Sequence, residues 1–268
     1  MELTVIVDNN TYIDKYFLAE PALSFYMEDA GTRLLFDAGY SDVFLRNADK
    51  MDVELEKLTH IVISHGHNDH TGGLSYLSSL HFEQKPILIG HPNVFEKKMR
   101  DGISIGAPER SLSIKSLCDL RLTKEPYRIN PRLIFLGEVP RRFSFEANRS
   151  IGERMTPKGW EEDFLLDDSA LVYSSERGLY IITGCSHSGI CNIISYAKEI
   201  CQSDRIISVI GGFHLFDSDK RTDETIHYLR EQQIEFVYPC HCTSLDVKAA
   251  LYQNLNVEEV GVGLRLQW

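Results

Sequence analysis

The sequence predicts a mixed α/β fold in which sheets are covered by helices. Short β-branched runs alternate with helical stretches along the chain, the pattern of layered α/β proteins. At 268 residues the chain is long enough to bury roughly three-quarters of its unfolded surface, so its core needs no staples. Its 43% hydrophobic and 25% charged content are those of an ordinary globular protein. Dividing the length by ~150 would allow two domains, but layered α/β folds reach this size as one unit, and a single domain over 1–268 is expected.

The first element is a strand over 3–7, Leu-Thr-Val-Ile-Val, closed by the turn cluster Asp8-Asn9-Asn10. Runs over 22–28 and 33–36 flank Asp29-Ala30-Gly31-Thr32 and predict a hairpin, with Asp37-Ala38-Gly39 ending the second run. A helix over 42–48, a strand over 60–64 and a helix over 72–80 follow, then a short strand over 87–89 and a helix over 93–99. Between 101 and 160 the composition shifts: five of the nine prolines fall there and periodicity weakens. This stretch is expected to be an elaboration, partly strand (132–136) and partly loop, that covers the functional site, since long loops inside a domain are often functional. The rhythm then returns with a strand pair over 169–173 and 179–183, a helix over 189–201, a strand over 205–210, a helix over 223–232, a strand over 235–238 and a helix over 245–251.

Charge and composition exclude several classes. With 28 Lys+Arg against 39 Asp+Glu the net charge is −11, a poor match to the phosphate backbone of nucleic acids. No apolar run approaches the ~20 residues needed to span a bilayer, and the start of the chain lacks a basic flank and apolar core. Six cysteines are too sparse for a disulfide scaffold. The expectation is a cytoplasmic protein with a small-molecule substrate, no nucleic-acid or membrane partner, and no oligomeric state legible in the chain.

The strongest chemical signal is His65-Gly66-His67-Asn68-Asp69-His70, directly after the apolar run 60–64. Imidazole nitrogen and carboxylate oxygen are zinc ligands, and a short glycine-containing turn can aim alternate side chains at one point. In such a loop His65 and His67 are expected to point together, while Asp69 and His70 begin the next turn and point elsewhere. That spacing suits two neighbouring metals. Zinc is the first expectation, with iron, manganese and nickel also suited to nitrogen and carboxylate donors.

These six residues match the His-x-His-x-Asp-His signature of the metallo-β-lactamase superfamily, which the sequence therefore resembles. The resemblance implies a four-layer αββα sandwich with its metal site at one sheet edge. It also implies that Asp37, closing an early strand, orients the metal-binding loop from outside the ligand set. In most of the superfamily a later strand ends in Thr-Gly-Asp, whose aspartate bridges two metals; here Thr183-Gly184-Cys185-Ser186-His187 puts Cys185 at that place. The upstream histidine of the family is absent from 165–169, and His187 is positioned to supply the missing nitrogen. His241, in Pro239-Cys240-His241-Cys242-Thr243, matches the last ligand of the family. Together with Asp8-Asn9 and Gly211-Gly212-Phe213-His214-Leu215, these motifs resemble one branch, named for the methanogen 7,8-dihydropterin-6-methyl-4-(β-D-ribofuranosyl)aminobenzene-5′-phosphate synthase.

The expected arrangement is a dinuclear metal site, with His65, His67 and His187 holding one divalent ion and Asp69, His70 and His241 the other, ~3.5–4 Å apart, and Cys185 between them as a thiolate. Asp69 and His214 are the expected catalytic residues, His214 as a substrate or proton-transfer group. At least one of Arg141, Arg142, Arg149 and Arg154 is expected to reach inward and hold an anion. The first functional expectation is a metal-dependent hydrolase acting on a small anionic substrate through metal-activated water. The synthase chemistry of the branch comes second and a non-catalytic metal or ligand sensor third.

Overall fold

The β-branched opening run becomes the strand Glu2–Val7, whose residues from Leu3 onward are all buried. The computed structural model describes residues 1–146 and 149–268; Ala147 and Asn148, inside the expected elaboration, lie outside the described residues. The chain divides into two units, one of residues 1–123, 150–163 and 260–268 and one of residues 124–149 and 164–259.

The first unit is built on a seven-stranded sheet in the order Arg265–Gln267, Glu2–Val7, Ser24–Asp29, Thr32–Phe36, His60–Val62, Ile87–Gly90 and Asp119–Leu122. The expected hairpin forms, with Ala30 and Gly31 both at positive φ (48° and 81°), as a two-residue turn matched to strand twist requires. From Thr32–Phe36 onward the pairing is parallel, so Asp37, the histidine loop and His91 all follow C-terminal strand ends at one sheet edge. Leu35, Ile61 and Leu88 pack with Phe44, Leu55 and Leu74 in one core cluster.

One expectation in this unit takes another form and one fails. The stretch after Thr71 forms a 3₁₀ helix, Gly72–Ser79, because its two leading glycines and three serines are weak α-formers. The helix expected over 93–99 is absent: Lys98–Arg100 is instead a strand, paired with Glu153–Thr156 and Ile103–Ser104 in a four-stranded sheet that also holds Gly159–Glu162. One of its two partner strands, Glu153–Thr156, lies more than fifty residues away, where local periodicity carries no information. The buried Lys98–Asp163 ion pair, at 2.6 Å, ties this small sheet together.

The second unit carries a six-stranded sheet in the order Phe236–Pro239, Ile206–Gly211, Gly178–Thr183, Ala170–Ser175, Leu133–Phe135 and Tyr127–Arg128. The first three are parallel and in register, with Ile181, Val209 and Val237 side by side. The helices Ile190–Cys201, Lys220–Glu231 and Leu245–Asn254 bury Ile193, Ile194, Ile226, Leu229, Val247 and Leu251 in the same cluster as those strand residues. Asp219 and Ser244 accept hydrogen bonds from Thr222 and Val247 backbone N–H groups and cap the last two helices. Among the described residues no helix is long and apolar enough to cross a membrane.

Candidate metal centre

In the first unit the strand His60–Val62 delivers the chain to Ser64, and everything beyond it is pinned by Asp37. The Asp37 carboxylate accepts hydrogen bonds from the Ser64 backbone N–H at 2.8 Å, from the Ser64 hydroxyl at 2.7 Å and from His70 Nδ1 at 2.6 Å. Since Ser64 Oγ donates to Asp37, its contact with His65 Nδ1 at 3.0 Å has the ring as donor. Both histidines therefore carry their proton on Nδ1 and present the Nε2 lone pair, the state a metal ligand needs.

His65, His67 and Asp69 bring one ligand atom each within 4.8 Å of one another. His65 Nε2 and His67 Nδ1 are 3.1 Å apart, close to the ~3.3 Å edge of a zinc tetrahedron with ~2.0–2.1 Å bonds. Two imidazoles and a carboxylate form a donor set that zinc accepts, with a fourth position left for water or substrate. The residues thus fit a divalent metal. Asp69 joins this group as well as lying beside His70, its expected companion. His67 is the extended N-cap of the single helical turn Asn68–Thr71, and side chains in a first turn lean back toward the N-terminus, which returns the Asp69 carboxylate to the strand end. An Asp69 oxygen also lies 3.6 Å from His70 Nε2.

The turn seats on its own sheet through Gly73, where a Cβ would run into the Ala38 carbonyl oxygen. Gly73 N–H instead donates to Gly39 at 3.1 Å, and Ala38 N–H to His70 at 2.9 Å.

In the second unit Cys185, His187, His214 and His241 all follow C-terminal ends of the three parallel strands. The loops are stitched together by Gly212 N–H to Gly184 O (2.8 Å), Cys240 N–H to Gly211 O (2.9 Å) and Cys242 S–H to Cys185 O (3.6 Å). The His187 and His214 rings lie 4.4 Å apart. Cys185, His187 and His241 are buried. Asp168 does for this unit what Asp37 does for the first: one carboxylate oxygen accepts from the Ser188 backbone N–H at 2.8 Å and from its hydroxyl at 2.6 Å. Burial pushes the Asp168 carboxyl up to about 6, against the opposing pull of hydrogen bonds from Ser188 and the His187 backbone.

Four non-glycine residues in these loops have left-handed backbones: Asp37 (φ 57°), Ser186 (56°), His214 (49°) and His241 (49°). Such conformations are uncommon outside glycine and concentrate where a side chain must be aimed.

Of the four arginines among which an anion-holding one is expected, three are engaged by the protein itself. Arg141 donates to the Phe164 and Leu165 carbonyls, Arg142 pairs with Glu199, and Arg154 pairs with Glu96 at 2.9 Å. Arg149 is exposed. Three bracing residues escaped the sequence reading. Ser64 and Ser188 look like any serine after a strand, and Glu146 reaches the Cys191 and Asn192 N–H groups (2.8 and 2.7 Å) from 45 residues upstream.

Residues 19–198 match the metallo-β-lactamase superfamily. The chain is 33% identical over 257 residues to the uncharacterized protein MJ0448 of Methanocaldococcus jannaschii, covering 94% of each chain. It is 30% identical over 258 residues to the 7,8-dihydropterin-6-methyl-4-(β-D-ribofuranosyl)-aminobenzene-5′-phosphate synthase of the same organism, covering 91% of this chain and 86% of that one. Among solved structures, Tm1679, described as a metal-dependent hydrolase of the β-lactamase superfamily, matches with a TM-score of 0.86 at 28% identity, covering 100% of this chain and 99% of its own. With its histidine motif, its mixed α/β sheets and these relatives, the chain belongs to the metallo-β-lactamase superfamily.

Proposed function

We propose that this protein is a metal-dependent hydrolase of a small anionic substrate. The observation that carries the reading is the convergence of His65, His67 and Asp69, with Asp37 and Ser64 fixing the tautomers of His65 and His70. A divalent metal bound there supplies a Lewis acid and brings the pKa of water to around 7. His65 and His67 hold their lone pairs toward that point. Asp69, less buried than the histidines, is the group placed to accept a proton from water. In the second unit Cys185, His187 and His241 are the proposed ligands and His214, half-buried at the sheet edge, the proposed substrate or proton-transfer group. Zinc is the proposed metal, and the cytoplasm the proposed compartment.

A second reading, a synthase acting in a pterin pathway, is supported by the 30% identical relative of that name. The two differ in what the site does to the substrate: hydrolysis splits it with water, whereas synthesis joins two molecules. Purified protein loaded with zinc should be tested for elemental content and then offered a phosphodiester and a pterin phosphate side by side. Hydrolysis of either that is abolished in a His65→Ala, His67→Ala variant, together with loss of metal, is the expected result. Full metal content in that variant would overturn the assignment. Condensation without hydrolysis would favour the second reading.

A further inference from the structure

Among the described residues, Arg221 Nε is the one Lys or Arg nitrogen that is buried without a hydrogen-bond partner. Arg221 stands in the first turn of Lys220–Glu231, and its side chain is half-buried. Two carboxylates pull on the guanidinium, those of Glu146 and Asp219, and both are spent elsewhere. Glu146 accepts from the Cys191 and Asn192 N–H groups on its two oxygens, at 2.8 and 2.7 Å. Asp219 caps its own helix, accepting from Thr222 N–H at 3.0 Å. Burial lowers Arg221 from its ordinary value, and the like charge of Arg149 adds to that effect. A cation drawn out of water with an unused donor costs stability, and such a group calls for an acceptor brought from outside.

Its position follows from the helices. In a parallel sheet each strand hands over to its helix at the strand's C-terminal end. The heads of Ile190–Cys201 and Lys220–Glu231 therefore lie at the edge where His187 and His214 emerge, the edge at which such sheets bind ligands. Thr225, one turn beyond Arg221 on the same helix face, meets the Cys191 thiol in the first turn of the neighbouring helix. Helical side chains lean toward the N-terminus, so Arg221 reaches past that contact toward the corner Ser188-Gly189 that follows His187. Glu146 bounds this corner too: its carboxylate leaves no room for a Cβ at Gly189. The same carboxylate thus borders both the Arg221 guanidinium and the loop of a proposed metal ligand.

We propose that Arg221 holds the oxyanion of the substrate, a phosphate or carboxylate group, with its guanidinium fork. It takes the role for which the sequence offered Arg141, Arg142, Arg149 and Arg154. This deepens the proposed function by naming the residue that selects for charge, and it rests on that reading only for the reaction that follows binding. Arg221 is a specificity residue that grips the substrate, while the metal-binding side chains act on it.

The test is calorimetric titration of the zinc-loaded protein with glycerol 3-phosphate and with glycerate, which set a phosphate against a carboxylate on a similar carbon chain. The parent is compared with Arg221→Gln and with Arg205→Gln. The latter removes the same charge at the N-terminal end of a strand, where Arg205 pairs with Glu235 at 2.9 Å. Arg221→Gln should weaken the tighter of the two anions about 10- to 100-fold, as loss of a charge-assisted hydrogen bond does, and Arg205→Gln should not. Zinc content should be the same in all three. Because the guanidinium has no use for its buried donor in the unliganded protein, Arg221→Gln without anion should melt no lower than the parent. Equal anion affinity in parent and Arg221→Gln, or binding of neither anion to the parent, would overturn the inference. A lower melting temperature in unliganded Arg221→Gln would overturn it as well, since an arginine that braces the fold has its partner inside the protein. Arg221-dependent binding in a protein that hydrolyses nothing would leave the anion site standing and remove the hydrolase reading. Phosphodiester hydrolysis with an unchanged KM in Arg221→Gln would do the reverse.

Discussion

The two units solve one problem twice. In each, a buried aspartate accepts both the backbone N–H and the hydroxyl of a serine that adjoins a histidine: Asp37 and Ser64 beside His65, Asp168 and Ser188 beside His187. The difference is what else the aspartate holds. Asp37 also takes a hydrogen bond from the His70 ring, whereas Asp168 reaches the His187 loop through backbone and serine. One brace therefore sets the tautomer of a histidine ring, and the other sets the shape of a loop. Each unit also packs glycines where no Cβ fits, among them Gly73 against Ala38 and Gly211 against Thr183.

Substituting the aspartates should separate the two roles. Asp37→Ala leaves three buried donors without an acceptor and should cost about 3–5 kcal/mol. It should also weaken zinc about 10- to 100-fold, as loss of an outer hydrogen bond to a ligating histidine does. Asp168→Ala should cost about 2 kcal/mol with a smaller effect on zinc. Denaturant titration and competition with a chelator measure both, and equal zinc losses would erase the distinction. The glycines come next. Gly73→Ala should destabilise by about 3 kcal/mol from overpacking alone, and Gly211→Ala by more, because its φ of 136° is closed to alanine. A Gly211→Ala protein as stable as Gly73→Ala would show that the second loop yields where the first does not. Ser64→Ala and Ser188→Ala, which each remove a hydroxyl, should cost about 1 kcal/mol apiece. Only Ser64→Ala should alter zinc affinity, through the tautomer of His65.

The smallest effect is a pH slope. Burial raises the Glu146 carboxyl above its ordinary value, opposed by hydrogen bonds from the Cys191 and Asn192 N–H groups. A carboxyl raised on folding binds its proton more tightly in the native state, so its contribution is complete below the unfolded pKa and is lost as pH rises through the folded one. Glu146→Gln should flatten that decline in chemical-denaturation curves taken across pH; an unchanged slope would remove Glu146 as its source.

The parts of the molecule written in consecutive residues were the parts the sequence made legible. The strands over 3–7 and 179–183 announce themselves by β-branching, and the hairpin at Ala30-Gly31 by its turn chemistry. The motif His65 to His70 is dense enough to carry the metal reading unaided. What stayed hidden depends on residues far apart. The strand Lys98–Arg100 pairs on one side with Glu153–Thr156, and no window of ten residues contains both. The return of Asp69 toward His65 and His67 depends on the single helical turn beginning at Asn68, a matter of backbone geometry. Asp168 reads equally as turn chemistry or as one of a catalytic pair until Ser188 is seen beside it.

The left-handed backbones at Asp37, Ser186, His214 and His241 bear on how this chain can be improved by selection. At such positions glycine is the residue the backbone prefers, by roughly 1 kcal/mol each. At Asp37 and Ser186 the hydrogen bonds of the side chain outweigh that preference, so a library screened only for thermal tolerance should drift toward glycine at His214 and His241, gaining stability against a total of ~5–15 kcal/mol. Its winners would be sturdier proteins without the side chains that aim the site. Selection for durability and selection for chemistry pull the His214 and His241 codons in opposite directions, and agree at Asp37 and Ser186.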